Sequence, residues 1–174
     1  MKKRVIPELI NNFNAYKSGN KLVGVTSNVA LPDLESLTET IAGAGILGEY
    51  EAPAVGRYGS MEQEIPFRVL YEDIFDYMDP TAALDLTLRG DIQVADASTG
   101  AVGHVGMRVV FRGRQKKLKP GKMEQGKIMD ASVTLEITYF MVEIDGKQMV
   151  ELDKLNSVFK VKGKNILEKI AKNC

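Results

Sequence analysis

Residues Ala131–Ile144 read ASVTLEITYFMVEI, followed by Asp145-Gly146 and then by KQMVELD over Lys147–Asp153. Val133, Leu135, Ile137, Tyr139 and Met141 fall on one face of an extended chain. Ser132, Thr134, Glu136 and Thr138 fall on the other. Successive side chains of a strand point to opposite faces, so this alternation of apolar with polar residues predicts a half-buried strand. Asp-Gly supplies the positive-φ pair of a tight hairpin turn, and the next run predicts the returning strand. At about 3.3 Å per residue the first strand reaches roughly 45 Å, whereas an ordinary strand has about 5–6 residues. Such reach predicts an extended β-surface built from many copies rather than the core of one small domain.

The flanking sequence continues the β pattern. Upstream, Leu84, Leu86, Leu88, Ile92 and Val94 predict a strand, and Met107, Val109 and Phe111 alternate with Arg108, Val110 and Arg112 in its partner. Downstream, Val158–Val161 predicts a short strand, and Asn165 with Glu168 predicts the capped start of a final helix with Ile166, Leu167 and Ile170 inward. Nearer the N-terminus, Phe13–Lys17 and Lys21–Thr26 flank Ser18-Gly19-Asn20 as a hairpin. Leu34, Leu37 and Ile41 have helical spacing while Thr38 and Thr40 favour a strand, and the segment is left open with a lean toward strand. Val55–Leu70 reads as extended, broken near Gly59, with Pro66 at an edge or bend. Tyr71, Ile74, Phe75 and Met78 mark the inner face of a short helix ended by Asp79-Pro80. Mostly β with one or two short peripheral helices, and with no βαβ rhythm or repeat, the chain is expected to form a single domain over residues 1–174, a β-sandwich or β-barrel.

Composition narrows the function classes. The chain has 174 residues, 44% of them hydrophobic, with 23 Lys plus Arg balanced by 23 Asp plus Glu. Zero formal net charge offers no general attraction to nucleic acid or an anionic membrane, and little repulsion between copies. The one cysteine, Cys174, precludes an intramolecular disulfide and fits a reducing compartment. The basic start MKKRVIPELINN lacks an apolar stretch of signal-peptide length, and no run approaches membrane-spanning length. A soluble protein made in the cytoplasm without a membrane anchor is expected.

Three patterns invite chemical readings. Gly43-Ala44-Gly45-Ile46-Leu47-Gly48 matches G-x-G-x-x-G, but a dinucleotide turn needs a helix after it. Pro53 follows too soon for that helix, and Glu49 and Glu51 would repel a pyrophosphate. The apolar loop Ile41–Gly48 is instead read as a segment that docks on another subunit. Arg112, Arg114, Lys116, Lys117, Lys119 and Lys122 form a basic run that Pro120-Gly121 marks as a solvated loop, or one that meets carboxylates on a neighbouring copy. No aromatic residue is interleaved to stack on bases. The pairs Glu62/Glu64 and Glu72/Asp73 read as solvated faces. One histidine, His104, and one cysteine cannot build an ordinary zinc site, and no G-x-S-x-G turn accompanies His104.

Five stretches carry a resemblance in a shared order: Ile6–Thr26 (IPELINNFNAYKSGNKLVGVT), Leu31–Glu51 (LPDLESLTETIAGAGILGEYE), Leu88–Val94 (LRGDIQV), Arg112–Lys122 (RGRQKKLKPGK) and Met129–Asn165. Together they make the chain resemble the major tail tube proteins of contractile-tailed bacteriophages. The resemblance implies hexameric rings stacked into a hollow tube within a contractile sheath, each subunit adding strands to a continuous β-barrel around the lumen. Tubes of R-type bacteriocins and type VI secretion systems are similar in fold. It implies no enzymatic activity, no cofactor and no metal site. The implied partners are further copies, the sheath protein, the baseplate hub, a tape-measure protein and tail terminator proteins, with DNA only in transit. The implied place is the virion tail, reached through the host cytoplasm.

On that expectation, Asp85, Thr87, Arg89, Asp91 and Gln93 line the lumen together with Ser132, Thr134, Glu136 and Thr138. The second of these faces carries no base, as suits a bore that must not grip phosphates. Ile41, Ala44, Ile46 and Leu47, and the basic loop with Lys116, Lys117 and Lys119, are expected at subunit interfaces. The alternatives are a DNA-free bacteriocin or injection tube, a nucleic-acid-binding β-barrel that uses the basic loop, and a nicotinamide enzyme built on the glycine loop.

Overall fold

A computed structural model describes residues 4–174, so Met1–Lys3 of the basic start lie outside the described residues. The elements in chain order are β1 (Val5–Lys17), β2 (Asn20–Lys21), β3 (Ser36–Ala42), β4 (Glu49–Tyr58), β5 (Glu62–Phe67), α1 (Glu72–Phe75), β6 (Leu84–Asp96), β7 (Val102–Lys119), β8 (Ala131–Ile144), β9 (Lys147–Asp153), β10 (Val158–Val161), β11 (Lys164–Asn165) and α2 (Glu168–Asn173). A nine-stranded sheet runs β11-β10-β9-β8-β7-β6-β1-β2, with β5 added beside β8, and β3 and β4 form a separate two-stranded hairpin. The pairings within the main sheet are antiparallel. The expected mainly β fold with two short helices is therefore what the chain adopts.

β8 is the seam of the molecule. One edge pairs with β7 along nearly its whole length. The other edge is shared: β5 takes Ala131–Glu136, and β9 takes Tyr139–Ile144. The handover falls at Thr138, where β8 bulges. Arg112 pairs with Tyr139 and Gly113 with Ile137, so Thr138 has no opposite number. A bulge inserts one residue and flips the alternation beyond it. Val133, Leu135 and Ile137 point into the core as expected, but after the bulge Phe140 takes that role and Tyr139 turns to the polar side. Met141 is buried on the polar side, opposite Val110. The length of β8 thus serves its own chain's core, which corrects the expectation that only a multi-copy surface would need it.

The core lies on one side of the curled sheet. Leu84, Leu86 and Leu88 of β6, Val109 and Phe111 of β7, and Val133, Leu135, Ile137 and Phe140 of β8 meet Met61, Ile65 and Phe67 from the β5 side. Leu86, Phe111, Phe140 and Leu152 form one row across four strands, and the Phe111 and Phe140 rings sit 5.6 Å apart. The segment around α1 closes the core with Ile74 and Tyr77, while Tyr71, Phe75 and Met78 are exposed. The reason is local: the turn is held by bonds from Ile74 N–H to the Tyr71 carbonyl and from Tyr77 N–H to the Ile74 carbonyl. Three-residue steps of that kind bring Ile74 and Tyr77 to one side.

The N-terminal hairpin is redistributed relative to expectation. β1 begins at Val5 and β2 has only two residues, with Ser18 and Gly19 at positive φ in the turn. Asp145 and Gly146 adopt positive φ as Asp-Gly predicts. The open segment before Ile41 is strand, and Ile41 and Ala42 belong to it rather than to the loop. Pro66 sits in β5, which pairs with β8 on one edge only. The final helix forms, but Asn165 accepts a bond from Leu167 N–H and no side chain caps the helix itself. Ile166 and Leu167 are half-buried, while Ile170 is exposed.

The β3–β4 hairpin pairs with no strand of the main sheet, and it joins the body at its foot. There Tyr58 packs edge-on against Phe159 at 5.3 Å, and the Lys154 ammonium donates to the Gly59 carbonyl at 2.6 Å. Leu167 fills a notch at Gly56, where a Cβ would collide with the leucine side chain. No helix among the described residues is long and apolar enough to cross a membrane.

Candidate functional site

The side of the main sheet away from the core is polar. Residues directly opposite in a ladder share a face. The register therefore places Asp85, Arg112, Tyr139 and Asp153 in one cross-strand row, Thr87, Val110, Met141 and Glu151 in the next, and Arg89, Arg108 and Glu143 beyond. Arg114 stands opposite Glu136, Lys117 opposite Thr134 and Lys119 opposite Ser132. The two residue sets expected at a lumen, Asp85 to Gln93 and Ser132 to Glu136, thus lie on one side of one sheet. Ser132 is only 4% exposed and offers little surface to any channel. The expectation of a face without bases also fails, because the basic residues of β7 stand directly beside those of β8.

That follows from a second correction. The run from Arg112 is not a loop: β7 continues as strand through Lys119. It bulges between Gln115 and Lys117, which leaves Lys116 as the extra residue. Lys116 reaches two carboxylates of its own chain, Glu62 at 2.6 Å and Glu136 at 3.3 Å. Glu62 and Glu136 are directly opposite on β5 and β8. Like charges so placed destabilise a ladder, and the bulged lysine offsets that repulsion. Arg112 bonds Asp85 at 2.9 Å and lies over the Tyr139 ring, Arg108 bonds Glu143 at 2.8 Å, and Lys160 bonds Glu151 at 3.0 Å. Sequence reasoning missed the Arg108 and Lys160 pairs, since only cross-strand register brings their partners together.

These pairings tune the carboxylates. Partial burial pushes Glu136 up, but hydrogen bonds from the Ser60 hydroxyl, the Lys116 ammonium and the Met61 N–H outweigh it and hold the acid below its ordinary 4.5. Glu151 is likewise lowered, burial being outweighed by Lys160 and Tyr139. Asp153 is lowered too, its burial outweighed by Asn156 and Leu155. A depressed carboxylate contributes stability that is present above its unfolded value and lost as pH falls through its folded value. Stability should therefore hold at neutral pH and decline from about pH 5 downward. Glu136→Gln should flatten that acid limb, as read from urea midpoints between neutral and acid pH. An acid limb as steep as that of the wild type would refute the role of Glu136.

The glycine-rich segment is the tip of the β3–β4 hairpin. A strand, β4, follows Gly48 where a dinucleotide turn requires a helix, so that reading is excluded. Gly43, Gly45 and Gly48 all have positive φ, and the tip projects Leu47 fully into solvent, with Ala44 and Ile46 also exposed. His104 contacts the Asp91 carboxylate at 2.7 Å, also on the polar side. Among the described residues no cluster of His, Cys, Asp or Glu is arranged to hold a metal ion.

Among the open strand edges of the described residues, two lie together at one end of the main sheet. β1 meets β2 only at Tyr16 and Lys17, so among the described residues no strand covers its outer edge from Val5 to Asn14. Val5, Ile6, Leu9 and Ile10 along it are about half exposed. β8 reaches β7 only from Met107 onward, leaving Val102–Val105 of β7 without an outer partner strand. β1, β6 and the start of β7 therefore extend beyond the core as a three-stranded blade. A long, uncovered, apolar edge invites pairing with another chain.

The family described as phage tail tube protein FII matches residues 7–174. The chain belongs to that family. It is 30% identical over 173 residues to the tail tube protein of Escherichia phage P2, covering 97% of each chain. It is 26% identical over 162 residues to the major tail tube protein of Serratia phage KSP20, covering 92% of this chain and 91% of that one. In fold it is similar to a chain of an extracellular contractile injection system, described as the PVC sheath/tube terminator in the extended state. That likeness has a TM-score of 0.55 at 13% identity and covers 79% of this chain and 96% of the other. The family and the two relatives agree on a phage tail tube protein, and the injection-system chain shares the fold.

Proposed function

We propose that copies of this chain join edge to edge into six-membered rings, and that the rings stack into the inner tube of a contractile tail through which DNA passes. The observation that carries the reading is the open apolar edge of β1 on a blade that extends past the core. Closing a ring satisfies such edges with no free strand left over. The chain then acts as a structural subunit without catalysis or cofactor. Its partners are itself, the sheath protein, the baseplate hub, the tape-measure protein and the tail terminator, and it resides in the virion tail after assembly in the host cytoplasm. The named relatives are phage proteins, which favours a DNA-conducting tube over a DNA-free one.

The bore is assigned to the polar side around Asp85, Thr87, Arg89, Asp91 and Thr138. There Arg108 and Arg112 are bonded to carboxylates of their own chain, which lowers their grip on phosphate. Thr134 and Glu136 stand beside Lys116, Lys117 and Lys119, and this more basic end is assigned to the border where one subunit meets the next. Electron microscopy of purified protein tests the whole reading. Hollow filaments with six-fold end views are expected above a threshold concentration, and a strictly monomeric sedimentation profile at high concentration would overturn it.

Ile46→Asp provides a second check. A charge buried in an apolar contact is costly. This variant should remain a soluble, folded monomer and fail to form filaments. Filaments of normal length from Ile46→Asp would remove the hairpin tip from the subunit contacts.

A further inference from the structure

Beneath the blade lies a cavity of about 130 Å³ whose walls include Ile10, Phe13, Leu31, Gly90, Met107 and Val109. Every residue around it is apolar, and Ile10 and Leu31 at its rim are exposed. Gly90 is the odd residue. It sits inside the long strand β6, where glycine is unfavourable. Its φ is not positive, and a Cβ there would meet nothing nearer than 3.6 Å, in ordinary contact with Asn12 and Phe13. Crowding within the chain does not require the glycine, although its partner Phe13 lies next to the register shift of β1 between Ile10 and Asn12. Its missing side chain also leaves the cavity open, and a strand glycine marks a bulge or a place where another chain comes close.

The same chain carries a matching knob. Leu47, at 106% of its reference exposure, is the most exposed large apolar side chain among the described residues. The positive-φ glycines around it hold it out on the hairpin tip. A cavity of this size is the kind that one large aliphatic side chain leaves or fills. The adjoining cleft shares Ile10, Phe13 and Val29 and carries Arg68, while Glu49 and Glu51 follow the knob with opposite charge.

We propose that Leu47 of one copy seats in the cavity at Gly90 of another copy. Knob and hole lie at different places on the surface, so the contact is head-to-tail, and contacts of that kind propagate into open polymers or rings. The inference rests on the tube reading and names where the hairpin tip goes.

The experiment measures the threshold concentration for polymerisation by sedimentation. Leu47→Ala removes the knob, and Gly90→Leu fills the hole from within. Each should raise the threshold by about tenfold or more. The double variant should be no worse than the poorer single one, because both delete the same contact. Independent, multiplying effects would overturn the proposal, as would an unchanged threshold for Leu47→Ala. Should Gly90→Leu fail to fold, Leu47→Cys with Leu31→Cys in a Cys174→Ser background decides it. Disulfide-linked chains are expected in assembled tubes, and their absence overturns the contact while leaving the tube reading intact. If the wild-type chain never polymerises, both readings fall together.

Discussion

Gly113→Ala is expected to cost about 4 kcal/mol or more, a large share of what holds an ordinary domain folded. Gly113 faces the bulge of β8. A Cβ there would lie 2.9 Å from the carbonyl carbon of Glu136, closer still to its oxygen, and 3.2 Å from the Cα of Ile137. All three atoms are backbone, so no side chain can swing aside. Relief requires β7 and β8 to part where Ile137, Leu135 and Phe111 are packed. Gly106→Ala is the control: the same substitution on the same strand meets nothing within 4 Å. It should be neutral or slightly stabilising, since a strand glycine costs roughly 0.5–1 kcal/mol relative to alanine. Urea denaturation of the two variants below the polymerisation threshold separates them. Equal midpoints would mean that the strands do not approach one another at Gly113 in the way the register describes.

Phe111→Ala should cost about 3–5 kcal/mol. Phe111 is fully buried at the centre of the row from Leu86 to Leu152, and its ring contacts Phe140. The surrounding strands are hydrogen-bonded on both sides and cannot collapse into the space left behind. Phe111→Leu keeps most of the volume and should lose much less. The ordering wild type, leucine, alanine in denaturation midpoint is the expected result. An alanine variant within 1 kcal/mol of the wild type, a small change by the measure of core truncations, would place the centre of the core elsewhere.

What the sequence made legible follows the rule of strict alternation. The bounds of β8, β9 and β10 were readable to the residue, because β-branched and aromatic side chains alternate there and Asp145-Gly146 fixes the turn. The pairing of β6 with β7 was readable for the same reason. Several misplaced segments contain an irregularity that a period-two reading cannot see. β1 shifts register between Pro7 and Leu9 and again between Ile10 and Asn12, which hid its first half. Thr138 flips the phase of β8, so Tyr139 exchanged sides. Lys116 is an extra residue within a lysine-rich stretch, and composition there outweighed the weak alternation. The turn at Ile74 uses three-residue steps, so of the residues chosen on helical spacing only Ile74 points inward, while Tyr71, Phe75 and Met78 point outward. The polar face was half visible: β6 alternates cleanly, but its ion pairs depend on register across strands.

The foot of the β3–β4 hairpin has a consequence for communication along the chain. The hairpin pairs with no other strand, and the C-terminal residues Leu167, Ile170 and Cys174 line the cleft at its base together with Leu37 and Val55. A lever fixed only at its fulcrum takes its bearing from whatever grips the fulcrum. Displacing α2, or wedging a bulky group beside Cys174, would swing the distant tip without altering a residue of it.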